Sequence, residues 1–353
     1  MRSFLTATAG LTCMFALAIT GCSAGSDDTT DAAPPNPRQP SASPSDSTSE
    51  SASDSASQSA SSSTSYAPYV SSNEASDNDS AGSPATYNLA FVISDGSDCT
   101  PKWNGSTTIT DSATKSRIAR LTQDGATVRV SFGGASGKEL AASCDSASEL
   151  AAAYGKALDA AGSSQADFDI EGDELTDSDS VDLRSQAIAL LQKERSDLEV
   201  SFTLPVMPSG LDDDSVALLE SANEHDVQVS TVNIMTMNYG ESYTGDMGDY
   251  ALTSAKATHT QLQEIFGTSD ATAWRAMALT SMLGVNDVDN ETFTLDDAAQ
   301  VREFAEEKGI GWVSMWATFR DRSCADGSSS DDPLTNCSGV DQEEGAFAEA
   351  FSG

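Results

Sequence analysis

From Tyr66 onward, short runs rich in β-branched and aromatic residues alternate with longer stretches in which apolar residues recur every three or four positions. Eight short runs read as strands: YAPYV (66–70), YNLAFVI (87–93), TVRVSF (127–132), ADFDIE (166–171), EVSFTL (199–204), STVNIMTM (230–237), RAMALTSML (275–283) and GWVSMW (311–316). Between most of them the periodicity predicts amphipathic helices, among them SASELAAAYGKALDAAG, SVDLRSQAIALLQKE, DDSVALLESANEH, ALTSAKATHTQLQEIFG and LDDAAQVREFAEEKG. Several start on Asp or Ser, which accept the free N–H groups of a first turn, and stop at Gly, which tolerates the left-handed exit. Eight alternations in about 290 residues predict an α/β fold, a (β/α)8 TIM barrel, with its functional groups at the carboxyl ends of the strands. Polar residues gather there: SFGGASG, DIEGDE, LPVMPSG, MNYGESY, GVND and WATFRD. The segment SSNEASDNDSAGSPA between the first two strands lacks a helical pattern. A doubly wound open sheet is the alternative, but neither a G-x-G-x-x-G nor a Walker loop supports it.

The amino end has a different pattern. Residues 1–21 combine Arg2, an apolar run from Leu11 to Ile19 and small residues before a cysteine, the features of a secretory leader too short to span a bilayer. The tetrapeptide ITGC resembles the lipobox of bacterial lipoproteins, and that resemblance implies cleavage before Cys22 and attachment of a lipid to its sulfur. Residues 22–65 then form a Ser-rich linker, which cannot bury enough apolar surface to offset the entropy of ordering. The organisation expected is therefore leader, lipidated Cys22 with tether, and one barrel over 66–353, held at the outer face of the cell membrane by the anchor alone or released outside it.

The barrel region holds 49 acidic and 16 basic residues, a charge of -33, which makes nucleic acid and anionic lipid surfaces poor partners. With Cys13 in the leader and Cys22 lipidated, four cysteines remain in an oxidising compartment, and three pairings can be drawn. Sequence separation favours Cys99 with Cys144 and Cys324 with Cys337, the second closing a short loop worth on the order of 3 kcal/mol. No Cys-x-x-Cys or nearby His completes a zinc site, so neither a metal nor another cofactor is expected, and a monomer is expected.

The fourth run carries the chemistry. In ADFDIEGDE, the carboxylates Asp167, Asp169 and Glu171 fall on alternate residues, so a strand points all three into the barrel while Phe168 and Ile170 face the helices. Neighbours in such a row lie about 6–7 Å apart along the backbone, and crowding should raise the proton affinity of at least one. Glu171, nearest the open end, is the one best placed to present a proton. The same residues begin like an EF-hand calcium loop, but Glu174 stands at the eighth position and Ser178 at the twelfth, which breaks that pattern.

D-x-D-x-E on strand four resembles the signature of family 18 glycoside hydrolases, the chitinases and their relatives. The resemblance extends to YAPYV, LAFVISDGSDCTPKWNG, VSFGGASGKELAASC, LPVMPSGL, VNIMTMNYG, MLGVND and GWVSMWATFRDR, in the family's order. It implies substrate-assisted, retaining hydrolysis of β-1,4 bonds next to N-acetylglucosamine, with chitin or a related glycan as partner. Glu171 would be the acid, Asp169 would bind the acetamido N–H, and Asp167 would hold the proton that lets Asp169 rotate. Tyr239 would hold the acetamido oxygen, Trp316 would form the floor under the sugar, and Met237 and Asn238 would line the site. Departures from the pattern are Ser164 and Gln165 in place of Asp-Gly, and Asn238 where the branch carries Asp. Two alternatives stay open: an endo-β-N-acetylglucosaminidase acting on glycans or wall polymers, and a non-hydrolytic glycan-binding lipoprotein.

Overall fold

The structure, a computed structural model, describes residues 64–329 and 332–353. The expected leader, the lipidation site Cys22 and nearly all of the tether lie outside the described residues.

All eight expected strands are present and pair in parallel around a closed ring. Strand one is split by Pro68, which has no N–H to give to a ladder. Its first half, Ser65–Tyr66, pairs with strand eight, Trp312–Trp316, and its second half, Tyr69–Ser71, pairs with strand two, Thr86–Ile93. That handover closes the ring of eight strands. Thr64 is buried and Ser65 is already paired with Trp312, so the barrel starts just ahead of the expected boundary at 66. The ring continues through strand three (Thr127–Gly133), four (Gln165–Asp169), five (Glu199–Pro205), six (Val229–Met235) and seven (Met277–Met282). Strands four and six each end two residues earlier than the hydrophobic pattern predicts.

The five expected helices form at Ala147–Ala161, Ser178–Glu194, Asp213–Glu224, Met247–Phe266 and Leu295–Lys308. Ser146, Asp212, Asp246 and Thr294 cap their starts, and Gly162, Gly267 and Gly309 adopt the left-handed conformation at three ends. A helix that the pattern left out, Ser112–Leu121, has Ile118 and Leu121 as its only large buried apolar side chains, too thin a stripe to read. After strand one no helix forms, as expected. Turns fill residues 72–85, pinned by Asp79, which accepts from Arg117 Nη1 and Thr318 Oγ1, both at 2.8 Å. The carboxyl-terminal helix Ala346–Ser352 lies beside strand one and stacks Phe351 on Tyr66.

Two layers of core result. Outside the ring, Phe132, Tyr154, Phe168 and Phe202 form a chain of ring contacts, each side chain worth about 1.5–3 kcal/mol when buried. Inside, the floor is polar as well as apolar. The Arg129 guanidinium lies 3.9 Å from the Trp312 ring centre and donates to Asn88 Oδ1 at 2.7 Å. Gly133 and Gly134, both at positive φ, are points of close approach. A Cβ on Gly133 would fall 2.0 Å from the Asp169 carbonyl oxygen, and one on Gly134 would meet the Phe91 ring at 2.8 Å.

The cysteines pair as the separations favour, Cys99 with Cys144 and Cys324 with Cys337. Both bridges tie loops at the carboxyl ends of the strands.

Candidate active site

Alternation along strand four turns Asp167 and Asp169 inward and Phe168 outward into the aromatic chain. Asp167 is 1% exposed, yet it receives four hydroxyls: Tyr69 and Ser131 at Oδ2 (3.0 and 2.7 Å), Ser201 and Thr203 at Oδ1 (2.7 and 2.9 Å). These donors come from strands one, three and five, with a Tyr on the first and Ser or Thr on the other two where a barrel interior usually carries aliphatics. Behind them Asn233 donates to Thr203 Oγ1 and accepts from Thr280 Oγ1, both at 2.9 Å. Buried contacts of this kind contribute about 1 kcal/mol each, while an orphaned buried polar group costs ~1–3 kcal/mol.

Above this cradle sit Asp169 and Glu171. Glu171 lies past the end of the strand, but its side chain still enters the mouth, where it lines one cavity with Asp169 and Trp316. Burial pushes the Asp169 carboxyl well up, reinforced by the charges of Glu171 and Asp167 and by a hydrogen bond to Glu171. Glu171 is raised too, by burial first; its hydrogen bond with Asp169 pulls it back, and the Asp287 charge adds to the rise. Both members of the pair are raised, as the crowding argument expects. Asp169 is raised the more strongly of the two, because it is the more deeply buried. Asp169 Oδ1 is buried with no partner among the described residues.

Trp316 forms one wall, stacked on Phe91 with ring centres 5.5 Å apart and edge-on to Tyr69 at 5.8 Å. Phe91 is held by Asn104, which accepts from Phe91 N–H at 3.0 Å and donates to its carbonyl at 2.9 Å. Met235, Met237 and Asn238 complete the opposite wall. The cavity they enclose with the carboxyl pair measures about 120 Å3 and connects, at Glu171 and Asn238, to a second of about 170 Å3 bounded by Pro205, Met207 and Asp212.

Tyr239 is not in either wall. The parity that assigned it to the acetamido oxygen assumed that strand six runs straight to 239. The strand stops at Met235, Met237 N–H turns back to the Met235 carbonyl at 3.0 Å, and Asn238 takes φ 55°. Alternation is lost there, and the Tyr239 ring packs with Tyr243 and Tyr250, its hydroxyl beside Ser254. The left-handed Asn238 is held from the hairpin after strand seven. Asn238 Nδ2 donates to Asp287 Oδ2 at 2.9 Å, Asp287 N–H donates to Asn238 Oδ1 at 3.0 Å, and fully buried Glu291 accepts from Gly240 N–H at 2.8 Å. Sequence reasoning missed Tyr69, Phe91, Asp287 and Glu291 as site residues. The alternate Ser, Thr and Asn of strands three, five and six were the readable signal for the cradle.

Among known proteins, the chain is 34% identical over 275 residues to a probable bifunctional chitinase/lysozyme of Escherichia coli (strain K12), a match covering 72% of this chain and 31% of that protein. It is 32% identical over 278 residues to endochitinase 11 of Metarhizium anisopliae, covering 74% of this chain and 53% of that one. The chain therefore spans between a third and about half of the curated relatives it matches. A solved structure of active domain 2 of a thermostable chitinase from Pyrococcus furiosus, a catalytic-site mutant complexed with chito-oligosaccharides, superposes with a TM-score of 0.71 at 30% identity, covering 82% of this chain and 93% of that domain. No family model matches. Fold and carboxylate row define a barrel of the glycosidase type. The chain belongs to the family 18 glycoside hydrolases.

Two expectations follow from the geometry. Because both raised carboxyls take up protons in the folded state that the unfolded chain releases, stability falls as pH rises from about 4 through the raised values. Glu171→Gln removes the Glu171 charge from the buried pair and keeps an acceptor for Asp169, so its thermal midpoint exceeds that of the native protein at pH 7, by roughly 2 °C for each kcal/mol relieved, and matches it near pH 4. Calorimetry at the two pH values checks this. Tyr239→Phe, whose hydroxyl does not reach the cleft, leaves oligosaccharide affinity within about twofold by titration, a change worth ~0.4 kcal/mol.

Proposed function

We propose that the protein is a chitinase-like hydrolase that cleaves β-1,4 bonds beside N-acetylglucosamine with retention, using the substrate's own acetamido group. The observation that carries this reading is the unpartnered Asp169 Oδ1 next to a shared proton and an aromatic wall. A sugar seated on Trp316 with its acetamido group toward strand four offers an N–H to Asp169 after a small rotation of that carboxyl. The new donor stabilises the Asp169 anion, and the shared proton passes to Glu171, which faces the junction of the two cavities where a glycosidic oxygen would lie. Glu171 protonates that oxygen while the acetamido carbonyl oxygen attacks the anomeric carbon. The bond to the leaving sugar breaks, an oxazolinium ion forms, and Glu171, now a base, activates the water that opens it.

Asp167 stabilises this cycle from below. Tyr69 and Thr203 also touch each other at 3.0 Å, so five oxygen contacts are served by four hydroxyl hydrogens, which leaves room for one more hydrogen in the cradle when Asp169 turns. Tyr239 is not among the residues lining either cavity, and Asn238, in the wall beside Met237, carries an amide donor there in this reading. The second cavity, on the far side of Glu171, leaves room for the leaving sugar and supports cleavage within a chain rather than only at its end.

Glu171→Gln should lower turnover on chitin oligomers at least ~10²–10⁴-fold while oligosaccharide binding persists; native turnover in that variant overturns the assignment. Product analysis on chitin oligomers, glycopeptide and peptidoglycan separates the chitinase reading from an endo-β-N-acetylglucosaminidase, and binding without product in the native protein favours a lectin.

We also propose export and lipid anchoring at Cys22, supported by the leader and the ITGC tetrapeptide. Cys22→Ser should move the protein from the membrane fraction to the medium or leave its leader uncut, read by fractionation and mass.

A further inference from the structure

A hairpin follows strand seven, with Gly284–Val285 paired antiparallel to Thr292–Phe293, and its turn meets the segment after strand six. The turn is braced from within. Asn286 Nδ2 donates to the Met282 and Gly284 carbonyls, both at 2.9 Å, and Glu291 N–H donates to the Val288 carbonyl at 2.9 Å. It grips residues 238–243 through the two Asn238–Asp287 bonds described above, through Asn290 Nδ2 on the Tyr243 carbonyl at 2.6 Å, and through the Glu291 carboxyl.

The last of these contacts differs from the others. Asp287 is exposed, whereas Glu291 is sealed from solvent at 0% exposure. Burial pushes the Glu291 carboxyl up, and the N–H groups of Gly240, Asn238 and Tyr239 pull it back, so three successive amides face one carboxylate. Asn238 at φ 55° and Gly240 at φ 111° give the backbone the curvature that turns neighbouring N–H groups to one side, the arrangement that makes an anion-binding concavity. Glu291 fills that concavity from inside the protein. It lines neither the carboxyl cavity nor the one beyond Glu171, so a ligand seated in them does not compete for it.

We propose that Glu291 is a positioning residue for the sugar site: its carboxylate, seated on the amides of 238–240, fixes the left-handed turn from which the Asn238 side chain enters the junction of the two cavities. This rests on the glycosidase reading above. Asp287 holds the tip of the Asn238 amide and Glu291 holds the backbone beneath it. With both in place the amide keeps one orientation, and little ordering is left for a ligand to impose. A carboxylate serves better than a neutral oxygen here, because N–H groups donate more strongly to an ionised acceptor. Glu291 acts through Asn238 and touches no sugar itself.

Binding, rather than turnover, tests this. The Glu171→Gln protein is titrated calorimetrically at pH 7 with the trisaccharide of N-acetylglucosamine, alone and with a second change at 291. Glu291→Gln keeps the volume and removes the charge, and Glu291→Asp keeps the charge and shortens the reach. Affinity should fall about fivefold with Gln and about twofold with Asp. Packing alone gives the reverse order, since Gln preserves the shape. The loss caused by Gln should shrink to within about twofold when Asn238 is already replaced by Gly, which takes φ 55° without carrying an amide. If melting shows that Glu291→Gln does not fold, Glu291→Asp carries the same comparison, with its loss present beside Asn238 and absent beside Asn238→Gly. Native affinity in the 291 variants, the reverse order of the two, an undiminished loss in the Asn238→Gly background, or no binding by the Glu171→Gln protein overturns the positioning role. Failure of the native protein to hydrolyse any oligomer sinks the catalytic reading alone, since these affinities are measured without turnover.

Discussion

A carboxylate buried at the centre of a barrel demands donors, and the inward side chains of three other strands answer that demand. Asp167 is held by hydroxyls from strands one, three and five, and Asn233 and Thr280 extend the set to strands six and seven. Replacing the usual aliphatic filling with this network fixes the height and tilt of strand four relative to its neighbours. Asp169 and Glu171 inherit their positions from it. Glycine at 133 allows the third strand to come close enough for the Gly134 N–H to reach the Asp169 carbonyl at 2.9 Å. Arg129, beneath the cradle, places a buried cation below three acids and pairs through Asn88 rather than with any of them.

Much of this was legible before any coordinates. Periodicity found eight strands and five helices because each buries one clean face. The carboxylate row was legible because period-two alternation holds inside a strand, and Asp167 and Asp169 lie within one. Tyr239 failed for the converse reason: the left-handed Asn238 ends the alternation, and Asn at a turn carries no parity information. Helix Ser112–Leu121 failed because its packing side rests on a buried Arg117 and Thr114 as much as on aliphatics. The partners of Asn238 and Gly240, Asp287 and Glu291, sit about fifty residues downstream on a hairpin, and only tertiary structure brings them together.

The site's electrostatics set acid against acid. Glu171 feels Asp169 on one side and Asp287 on the other. Burial and crowding together raise both members of the pair. Asn238 in place of a further Asp spares the mouth a fourth negative charge and at the same time grips Asp287 by both ends of its amide.

The split first strand has a consequence for orientation. Ser65 joins strand eight at its amino-terminal end, alongside Trp312, whereas the carboxyl pair and Trp316 lie at the other pole of the barrel. Whatever polypeptide precedes Thr64 meets the domain at its base. The chain therefore enters the domain at the pole opposite the carboxyl pair, and the way to the mouth stays clear of that entry point.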